Sequence, residues 1–222
     1  MKIGIITAMK KELEVIRAHM HDVKEYKHLG VAFEQGRLGD IDAVLTVCGI
    51  GTVNAALFTQ VMIDRFKPDR LIHTGIAGGL NAAGKHLSVV VADALTYHDV
   101  RPEQQHNTFP YREFFPVDQE LSDCLADAAG TEVMRGLILS GDAFVTDTAE
   151  KERLISRYPA ALCVDMESCA VAHAAYINRV PVAVLRCISD LADGAASDDY
   201  DRFETLAAEK AADIVLTALS EL

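Results

Sequence analysis

The chain has 222 residues, a length that suits one α/β domain with a substantial core. Hydrophobic residues make up 50% and charged residues 24%, which is the balance of a soluble globular protein. The formal net charge of −12 argues against nucleic acid and against an anionic membrane surface as partners, because both require surfaces rich in Lys and Arg.

The first part of the chain alternates buried strands with amphipathic helices. Apolar runs predict strands at 2–7, 31–37, 41–47, 70–73 and 88–91, and apolar spacing of three to four residues predicts helices at 10–20 and 52–66. A glycine-rich stretch at 74–79 separates the last two of these strands. The two consecutive strands at 31–47 predict an antiparallel or mixed portion of the sheet.

The second part begins with a stretch, 97–116, that has no clear periodicity and contains three prolines and several aromatic residues. Regular structure then resumes, with predicted helices at 119–129, 151–157, 168–177 and 202–219 and predicted strands at 133–139, 161–165 and 181–188. This alternation predicts a single domain, 1–222, of the α/β class: a three-layer fold with a central mixed, mostly parallel sheet and helices on both faces.

Cysteine and histidine usage predicts neither a metal site nor a disulfide framework. The five cysteines form no CxxC pair, and Cys48, Cys163 and Cys187 lie in apolar runs typical of core positions. No second histidine lies at ligand spacing from His98. No apolar stretch approaches the ~20 residues of a membrane span, and the N-terminal apolar run is too short for a signal peptide. We therefore expect a cytoplasmic protein that binds no membrane.

Two predicted strands each end beside a carboxylate. Glu167 follows the strand at 161–165 and Asp190 follows the strand at 181–188, while Glu12 lies just after the first strand. Open α/β sheets bind ligands at the carboxyl ends of their strands, so we expect the three side chains to face one crevice. Each alone is as well explained as a helix cap, a turn residue or a surface charge. Together they favour a functional site.

Six segments, in the same order along the chain, carry a family resemblance: IITAMKKE at 5–12, GIGTVNAA at 49–56, TGIAGG at 74–79, SGDAF at 140–144, VDME at 164–167 and RCISDLAD at 186–193. They resemble the bacterial 5′-methylthioadenosine/S-adenosylhomocysteine nucleosidases, and they span nearly the whole chain. The resemblance implies a nucleoside phosphorylase-like fold, usually a homodimer, that needs no cofactor. It also implies hydrolysis of the N-ribosidic bond of 5′-methylthioadenosine, S-adenosylhomocysteine and 5′-deoxyadenosine, in methionine salvage.

The resemblance also implies roles for individual residues. By matching position, Glu12 would be the general base for water, Asp190 would protonate the departing adenine at nitrogen 7, and Glu167 would hold the ribose hydroxyls. Phe144 would stack on adenine and Val145 would offer it backbone contacts. The remaining implied positions pack against the nucleoside or support the loop of Asp190; they are Met9, Ile50, Ile76, Ala77, Gly78, Met166, Arg186, Ser189 and Phe203.

These residue types suit the chemistry without reference to the family. Adenine leaves poorly as an anion, so an acid that protonates it during departure removes most of the leaving-group problem. The ribose then passes through an oxocarbenium-like cation, which a carboxylate bound to the ribose stabilises. The acid and the base should also come from different elements, because water attacks the face opposite the purine. Residues 12 and 190 meet that requirement.

The chain departs from the family pattern at two places. Ile76 stands where the family often has a hydroxyl residue, and the segment at 100–106 replaces a loop that helps to form the 5′-thio pocket shared across the dimer. Candidates for lining that pocket are Phe109, Tyr111, Phe114 and Phe115. The specificity for the 5′ substituent therefore stays open.

Three other functions remain open on sequence grounds. A hydrolase of aminodeoxyfutalosine would use the same three acids. A nucleoside phosphorylase needs cationic groups for phosphate, and the glycine-rich segments contain no Arg or Lys. A non-catalytic nucleoside-binding or storage protein would not require both Glu12 and Asp190.

Overall fold

The computed structural model describes residues 1–222 and contains ten strands and seven helices. The strands are β1 (Lys2–Thr7), β2 (His21–His28), β3 (Val31–Leu38), β4 (Ile41–Val47), β5 (Arg70–Gly79), β6 (Val89–Tyr97), β7 (Phe115–Pro116), β8 (Met134–Ser140), β9 (Ala161–Asp165) and β10 (Val182–Asp190). The helices are α1 (Lys10–Ala18), α2 (Thr52–Phe66), α3 (Pro102–Asn107), α4 (Gln119–Ala129), α5 (Thr148–Arg157), α6 (Ser168–Asn178) and α7 (Ala196–Ser220).

All ten strands belong to one sheet, and part of that sheet closes into a ring. The ring runs β5–β10–β6–β8–β9 and returns to β5, while β1, β4, β3 and β2 extend from β5 as an open arm. β5 therefore has three partners: β1 and β10 pair with it in parallel, and β9 pairs with it antiparallel. The sheet is mixed, as the sequence predicts, because the β2–β3–β4 meander and the closing contacts of the ring are antiparallel.

Helices cover the sheet on two sides and give the three predicted layers. One apolar core packs α1, α4 and α7 against the sheet through residues such as Ile16, Leu125 and Val215. A second core packs α2 and α6 against the opposite face through residues such as Met62 and Val171. Burial of such side chains contributes roughly 1.5–3 kcal/mol each to folding, before entropy is counted. The predicted three-layer α/β fold is confirmed.

The structure differs from the sequence prediction in several elements, and the stretch at 97–116, which shows no clear periodicity, contains α3 and β7. β2 was absent from the prediction because its residues are polar and mostly exposed, and its backbone hydrogen bonds to β3 alone define it. The glycine-rich stretch at 74–79 continues β5 instead of forming a loop. α7 begins at Ala196, earlier than the predicted residue 202.

The glycines at the end of β5 explain why that stretch stays extended. Gly78 and Gly79 pair with β9 on one side, and Gly78 pairs with Asp190 of β10 on the other. A Cβ on Gly78 would lie 2.9 Å from a carboxylate oxygen of Asp190. Glycine thus lets the strand pass close to the end of β10.

None of the seven helices combines the length and the apolar character that a bilayer crossing requires.

Candidate active site

A cavity of about 260 Å³ opens where β1, β5, β9 and β10 end. Its wall contains four carboxylates and a set of apolar and aromatic side chains. A larger groove of about 550 Å³ lies between α1 and the β2–β3 hairpin, and it is lined by charged side chains of both signs. None of the buried acids reaches that groove, so the smaller cavity is the site where chemistry is possible.

Glu12 lies in the first turn of α1, directly after β1. Its Oε2 accepts hydrogen bonds from the backbone N–H groups of Ala8 (3.0 Å) and Met9 (2.8 Å), and its Oε1 accepts one from Ile76 (3.1 Å). Burial raises the pKa of Glu12, although the Arg186 charge and these amides oppose the change. The carboxylate is therefore fixed in place, and its raised pKa makes its ionised form a stronger proton acceptor.

Glu167 lies between β9 and α6, where the chain turns into the helix. Its Oε1 accepts a hydrogen bond of 2.8 Å from the backbone N–H of Gly51, at the start of α2. Burial and the neighbouring Asp165 carboxylate raise the pKa of Glu167 to about 7. Two segments 116 residues apart in the sequence thus meet at this carboxylate.

Gly51 can make this contact because its backbone has φ +99°, which glycine adopts without strain. The start of α2 is held by Asp142, which accepts hydrogen bonds from the backbone N–H (2.7 Å) and the hydroxyl (2.6 Å) of Thr52. Asp142 precedes Phe144 on the loop after β8. The same contacts therefore position the Gly51 amide and the loop that carries Phe144.

Asp190 is the last residue of β10 and is 1% exposed. Its Oδ2 accepts a hydrogen bond from the Ser189 hydroxyl (2.8 Å), and its Oδ1 accepts one from the backbone N–H of Ala192 (2.9 Å). Burial raises the pKa of Asp190, and these two bonds only partly oppose it. A carboxyl group in this state is suited to hold a proton and release it to a substrate.

Beneath the cavity, Arg186 is completely buried in a polar network. Its Nε donates to Asp165 Oδ2 (2.8 Å) and to the Ser168 hydroxyl (3.1 Å), and its Nη2 hydrogen-bonds His73. Ser140 also donates to Asp165, at 2.6 Å. Burial alone would favour the neutral carboxyl, but the Arg186 charge holds the pKa of Asp165 below its usual value. Arg186 thus lies behind the cavity wall and forms a buried ion pair with Asp165.

The remainder of the cavity wall is apolar and aromatic. Phe144 is half exposed at the cavity mouth, and its ring meets the ring of Tyr200 edge to face at 5.6 Å between centroids. The Tyr200 hydroxyl lies 3.2 Å from the sulfur of Met9 and donates to Glu204 at 3.1 Å. Glu204 in turn pairs with Lys11 of α1. An aromatic corner of this kind suits the face of a flat aromatic ring such as a purine.

The structure brings most of the predicted site residues to this one cavity: Met9, Glu12, Ile50, Ile76, Ala77, Gly78, Phe144, Met166, Glu167, Ser189 and Asp190. Three others lie outside its wall. The Val145 side chain packs in a small core beside Leu154, and Arg186 contacts Asp165 instead of Asp190. Phe203 stacks on His86, with 4.4 Å between ring centroids.

The cavity wall also contains residues that the sequence did not indicate, namely Ala8, Val164, Asp165 and Tyr200. Tyr200 was missed because α7 was predicted to start at 202. The acidic residues that precede it show no apolar periodicity, so no pattern in the sequence indicates that the helix already includes them.

The charges of the cavity limit its chemistry. No Lys or Arg side chain lines it. Nowhere in the chain do three His, Cys, Asp or Glu side chains lie close enough to hold a metal ion. Cys48 lies behind Glu12 and Glu167, and burial together with these carboxylates raises the pKa of its thiol to about 12. The thiol is therefore a poor nucleophile, which leaves the carboxylates as the reactive groups.

Comparisons with known proteins place the chain in a family. A family model described as the phosphorylase superfamily matches residues 2–220. The chain is 34% identical to the 5′-methylthioadenosine/S-adenosylhomocysteine nucleosidase of Staphylococcus carnosus, over 99% of this chain and 100% of that protein.

Solved structures are similar along the whole chain. The S-adenosylhomocysteine nucleosidase of Streptococcus pyogenes, in complex with 5-methylthiotubericidin, matches with a TM-score of 0.95 at 31% identity and covers 100% of this chain and 97% of that one. The futalosine hydrolase of Helicobacter pylori matches with a TM-score of 0.93 at 30% identity and covers 100% and 98%. From the family model and the full-length relatives, the chain belongs to the 5′-methylthioadenosine/S-adenosylhomocysteine nucleosidase family of the phosphorylase superfamily.

Proposed function

We propose that this protein is an N-ribosyl hydrolase that cleaves 5′-methylthioadenosine and S-adenosylhomocysteine to adenine and the 5′-substituted ribose. The observation that carries the proposal is that Glu12, Glu167 and Asp190 line one cavity of about 260 Å³. Burial raises the pKa of each. Acid–base cleavage of a glycosidic bond requires two carboxyl groups held beside that bond, one to give a proton and one to take a proton.

In this proposal Asp190 is the acid. It donates its proton to nitrogen 7 of adenine as the N-ribosidic bond breaks, so the purine leaves as a neutral molecule. Its burial and its raised pKa support this role, because both favour the protonated state before reaction. The hydroxyl of Ser189 keeps the carboxyl group oriented toward the cavity.

Glu12 is the proposed base and Glu167 the proposed ribose ligand. Glu12 takes a proton from the attacking water, and it lies on α1 while Asp190 ends β10, so the two act from separate elements. Glu167 accepts hydrogen bonds from the ribose 2′- and 3′-hydroxyls, and its negative charge stabilises the oxocarbenium-like transition state. The Gly51 amide holds Glu167 for this contact.

The apolar wall provides the proposed binding surfaces. Phe144 stacks on adenine, with backbone contacts from Val145, and Met166 packs against the ribose. Met9 and Ile50 lie on the wall where they can contact the nucleoside, while Tyr200 braces Phe144.

Hydrolysis of futalosine-type nucleosides is the second candidate. The match to the Helicobacter pylori futalosine hydrolase favours it, and aminodeoxyfutalosine would be cleaved by the same three acids. A phosphorylase is disfavoured because no cationic side chain lines the cavity to bind phosphate. A non-catalytic nucleoside-binding protein is disfavoured because burying three carboxylates in one cavity is costly without a catalytic use.

Release of adenine separates these functions. The purified protein is incubated with 5′-methylthioadenosine, S-adenosylhomocysteine and aminodeoxyfutalosine, each with and without inorganic phosphate. We expect phosphate-independent release from the first two. Release from aminodeoxyfutalosine alone would favour the second candidate, strict dependence on phosphate would indicate a phosphorylase, and no release from any substrate would indicate a binding protein.

We also propose a homodimer whose interface adjoins the cavity mouth. Val53 is 74% exposed and Leu57 is 44% exposed on α2, and Ile50 lies just before them at the cavity. Tyr176 and Ile177 of the neighbouring α6 are exposed as well. Exposed apolar side chains on two helices that pack against each other are suited to a contact between two copies of the chain.

Sedimentation of the purified protein tests the dimer. We expect a mass of two chains for the wild type and of one chain for Val53→Asp, because a carboxylate at this position would be buried without a partner. Lys24→Asp on the exposed strand β2 is the matched control, since it places the same acid away from this surface. A Val53→Asp protein that stays dimeric would place the interface elsewhere.

A cytoplasmic location is part of the proposal. All five cysteines are free thiols, and four of them are buried. Unpaired thiols are typical of proteins from a reducing compartment.

A further inference from the structure

His73 is a buried histidine in the middle of β5 that the proposed mechanism does not use. It is completely buried and does not line the cavity. Its Nδ1 lies 2.9 Å from the backbone oxygen of Ile6. A carbonyl oxygen only accepts, so Nδ1 carries the ring hydrogen and Nε2 is free to accept one. The partner at Nε2 is Nη2 of Arg186.

His73 stays neutral in this environment. Burial and the adjacent Arg186 charge lower the pKa of His73 to about 3, and the more distant Asp165 carboxylate only partly offsets them. A neutral ring with its hydrogen on Nδ1 is a fixed acceptor for Arg186 throughout the physiological pH range.

The Arg186 guanidinium is therefore held at two of its three nitrogens. Nε donates to Asp165 and Ser168 on one side, and Nη2 donates to His73 on the other. Because the group is planar, these bonds also set the direction of Nη1. Any rotation that brought Nη2 to another acceptor would move Nη1 as well.

The remaining nitrogen, Nη1, faces Glu12. A Cβ built on Gly75 would collide with both Nη1 of Arg186 and Oε1 of Glu12, so these two atoms approach each other across the bare Cα of Gly75. Because Gly75 has no side chain, the positively charged guanidinium of Arg186 and the carboxylate of Glu12 can lie close together.

We propose that His73 is a positioning residue for the hydrolysis: by accepting from Nη2 it aims the Arg186 guanidinium so that Nη1 faces Glu12. The inference rests on the proposed function, because it assigns His73 to the base of that reaction. The positive charge on this side favours the ionised form of Glu12, the form that can take a proton from water. His73 thus acts on the reaction through Arg186 without touching the substrate.

Two variants of similar length and volume separate the hydrogen bond from space filling. His73→Gln keeps an acceptor for Arg186 and a donor for Ile6, whereas His73→Met fills the same space without a strong acceptor. Both are assayed with 5′-methylthioadenosine, with kcat and KM measured over a range of pH and folding checked by thermal unfolding.

We expect His73→Met to lower kcat by about 10²-fold with little change in KM, since a small misplacement outside the cavity is enough for such a loss. His73→Gln should recover most of the turnover. The acidic limb of kcat/KM should move to higher pH in His73→Met, because Glu12 loses part of its favourable charge partner. The other groups that face Glu12 are unchanged in both variants; they are Glu167 before α6, Cys48 after β4 and Tyr200 on α7.

A folded His73→Met enzyme with wild-type kcat and pH profile would overturn the inference, and so would a folded His73→Gln enzyme as impaired as His73→Met. If His73→Met does not fold, His73→Gln decides: near-wild-type turnover supports the hydrogen-bond role, and lost turnover in a folded protein refutes it. A wild-type protein that releases no adenine would refute the proposed function, and the inference with it. An active wild type beside an equally active His73→Met would refute the inference alone.

Discussion

Replacing Asp190 with Asn removes the proposed acid and leaves its shape almost unchanged. In the wild type, Oδ1 accepts from the Ala192 amide and Oδ2 accepts from the Ser189 hydroxyl. An asparagine can keep the first bond through its Oδ1. Its Nδ2 can donate to the Ser189 hydroxyl, which then turns toward the Ala77 carbonyl oxygen 3.5 Å away. The substitution should therefore preserve the fold and the binding of adenosine analogues.

The cost to catalysis should be far larger than the cost to stability. General acid assistance contributes roughly 10²–10⁴-fold, and each factor of ten is about 1.4 kcal/mol of barrier, so Asp190→Asn should raise the barrier by about 3–5.5 kcal/mol. Stability at neutral pH should not fall. The folded-state pKa of Asp190 is raised, so its ionisation already opposes folding above that pKa, and Asn carries no charge.

The assay measures single-turnover adenine release from 5′-methylthioadenosine, with binding of a non-hydrolysable adenosine analogue measured in parallel. Asp198→Asn is the matched control, because Asp198 is an exposed acid on the first turn of α7 outside the cavity. Turnover in Asp190→Asn within threefold of the control would refute the assignment of the acid. Loss of analogue binding together with turnover would show that Asp190 holds the purine instead of protonating it.

Two further substitutions test the electrostatics and the packing of the site. Glu167 has a pKa of about 7, above the ~4.3 of an unfolded chain, so its proton stabilises the fold below pH ~4.3 and that contribution is lost as the pH rises through about 7. The free energy of unfolding, measured in urea, should therefore fall less for Glu167→Gln than for the wild type as the pH rises from ~4.3 to about 7. Gly75→Ala should destabilise the protein by about 1–3 kcal/mol and impair turnover, because its methyl group would displace Arg186 or Glu12.

Each of these has a control in the same chain. Glu209→Gln removes an exposed carboxylate from α7, and its free energy of unfolding should follow the wild-type pH dependence. Gly194→Ala adds a methyl group where a Cβ would meet no atom within 4 Å, so it should leave turnover unchanged. Parallel pH curves for Glu167→Gln and the wild type, or equal stability of the two alanine variants, would contradict the reasoning.

Much of the fold follows from local patterns in the sequence. The bounds of α2 agree with the prediction because its apolar positions recur at helical spacing, and β1 and β10 were predicted because continuous apolar runs mark strands buried on both faces. β2 was not predicted because its side chains contribute little to any core. Its backbone pairing with β3 is a tertiary interaction, and no residue pattern within the strand encodes it.

The site residues at the ends of strands were predictable from the sequence. The residues that depend on contacts between distant parts of the chain were not. Glu12, Glu167 and Asp190 follow from the rule that ligands bind at the carboxyl ends of strands. The contact of His73 with Arg186 was not predictable, because the two residues lie 113 positions apart in the sequence. Tyr200 reaches the cavity only because α7 begins six residues earlier than its apolar pattern, and that start depends on tertiary contacts.

The three partners of β5 have a consequence for the dynamics of this protein. Glu12 follows β1, Glu167 follows β9 and Asp190 ends β10, so each neighbour of β5 supplies one carboxylate to the cavity. Separation of β5 from β1, β9 or β10 would move one of the three carboxylates away from the cavity and disrupt the ligand site. Because a ligand stabilises only the state that binds it, an occupying nucleoside suppresses all three openings at once. Substrate binding therefore joins the closed ring and the open arm of the sheet into one cooperative unit.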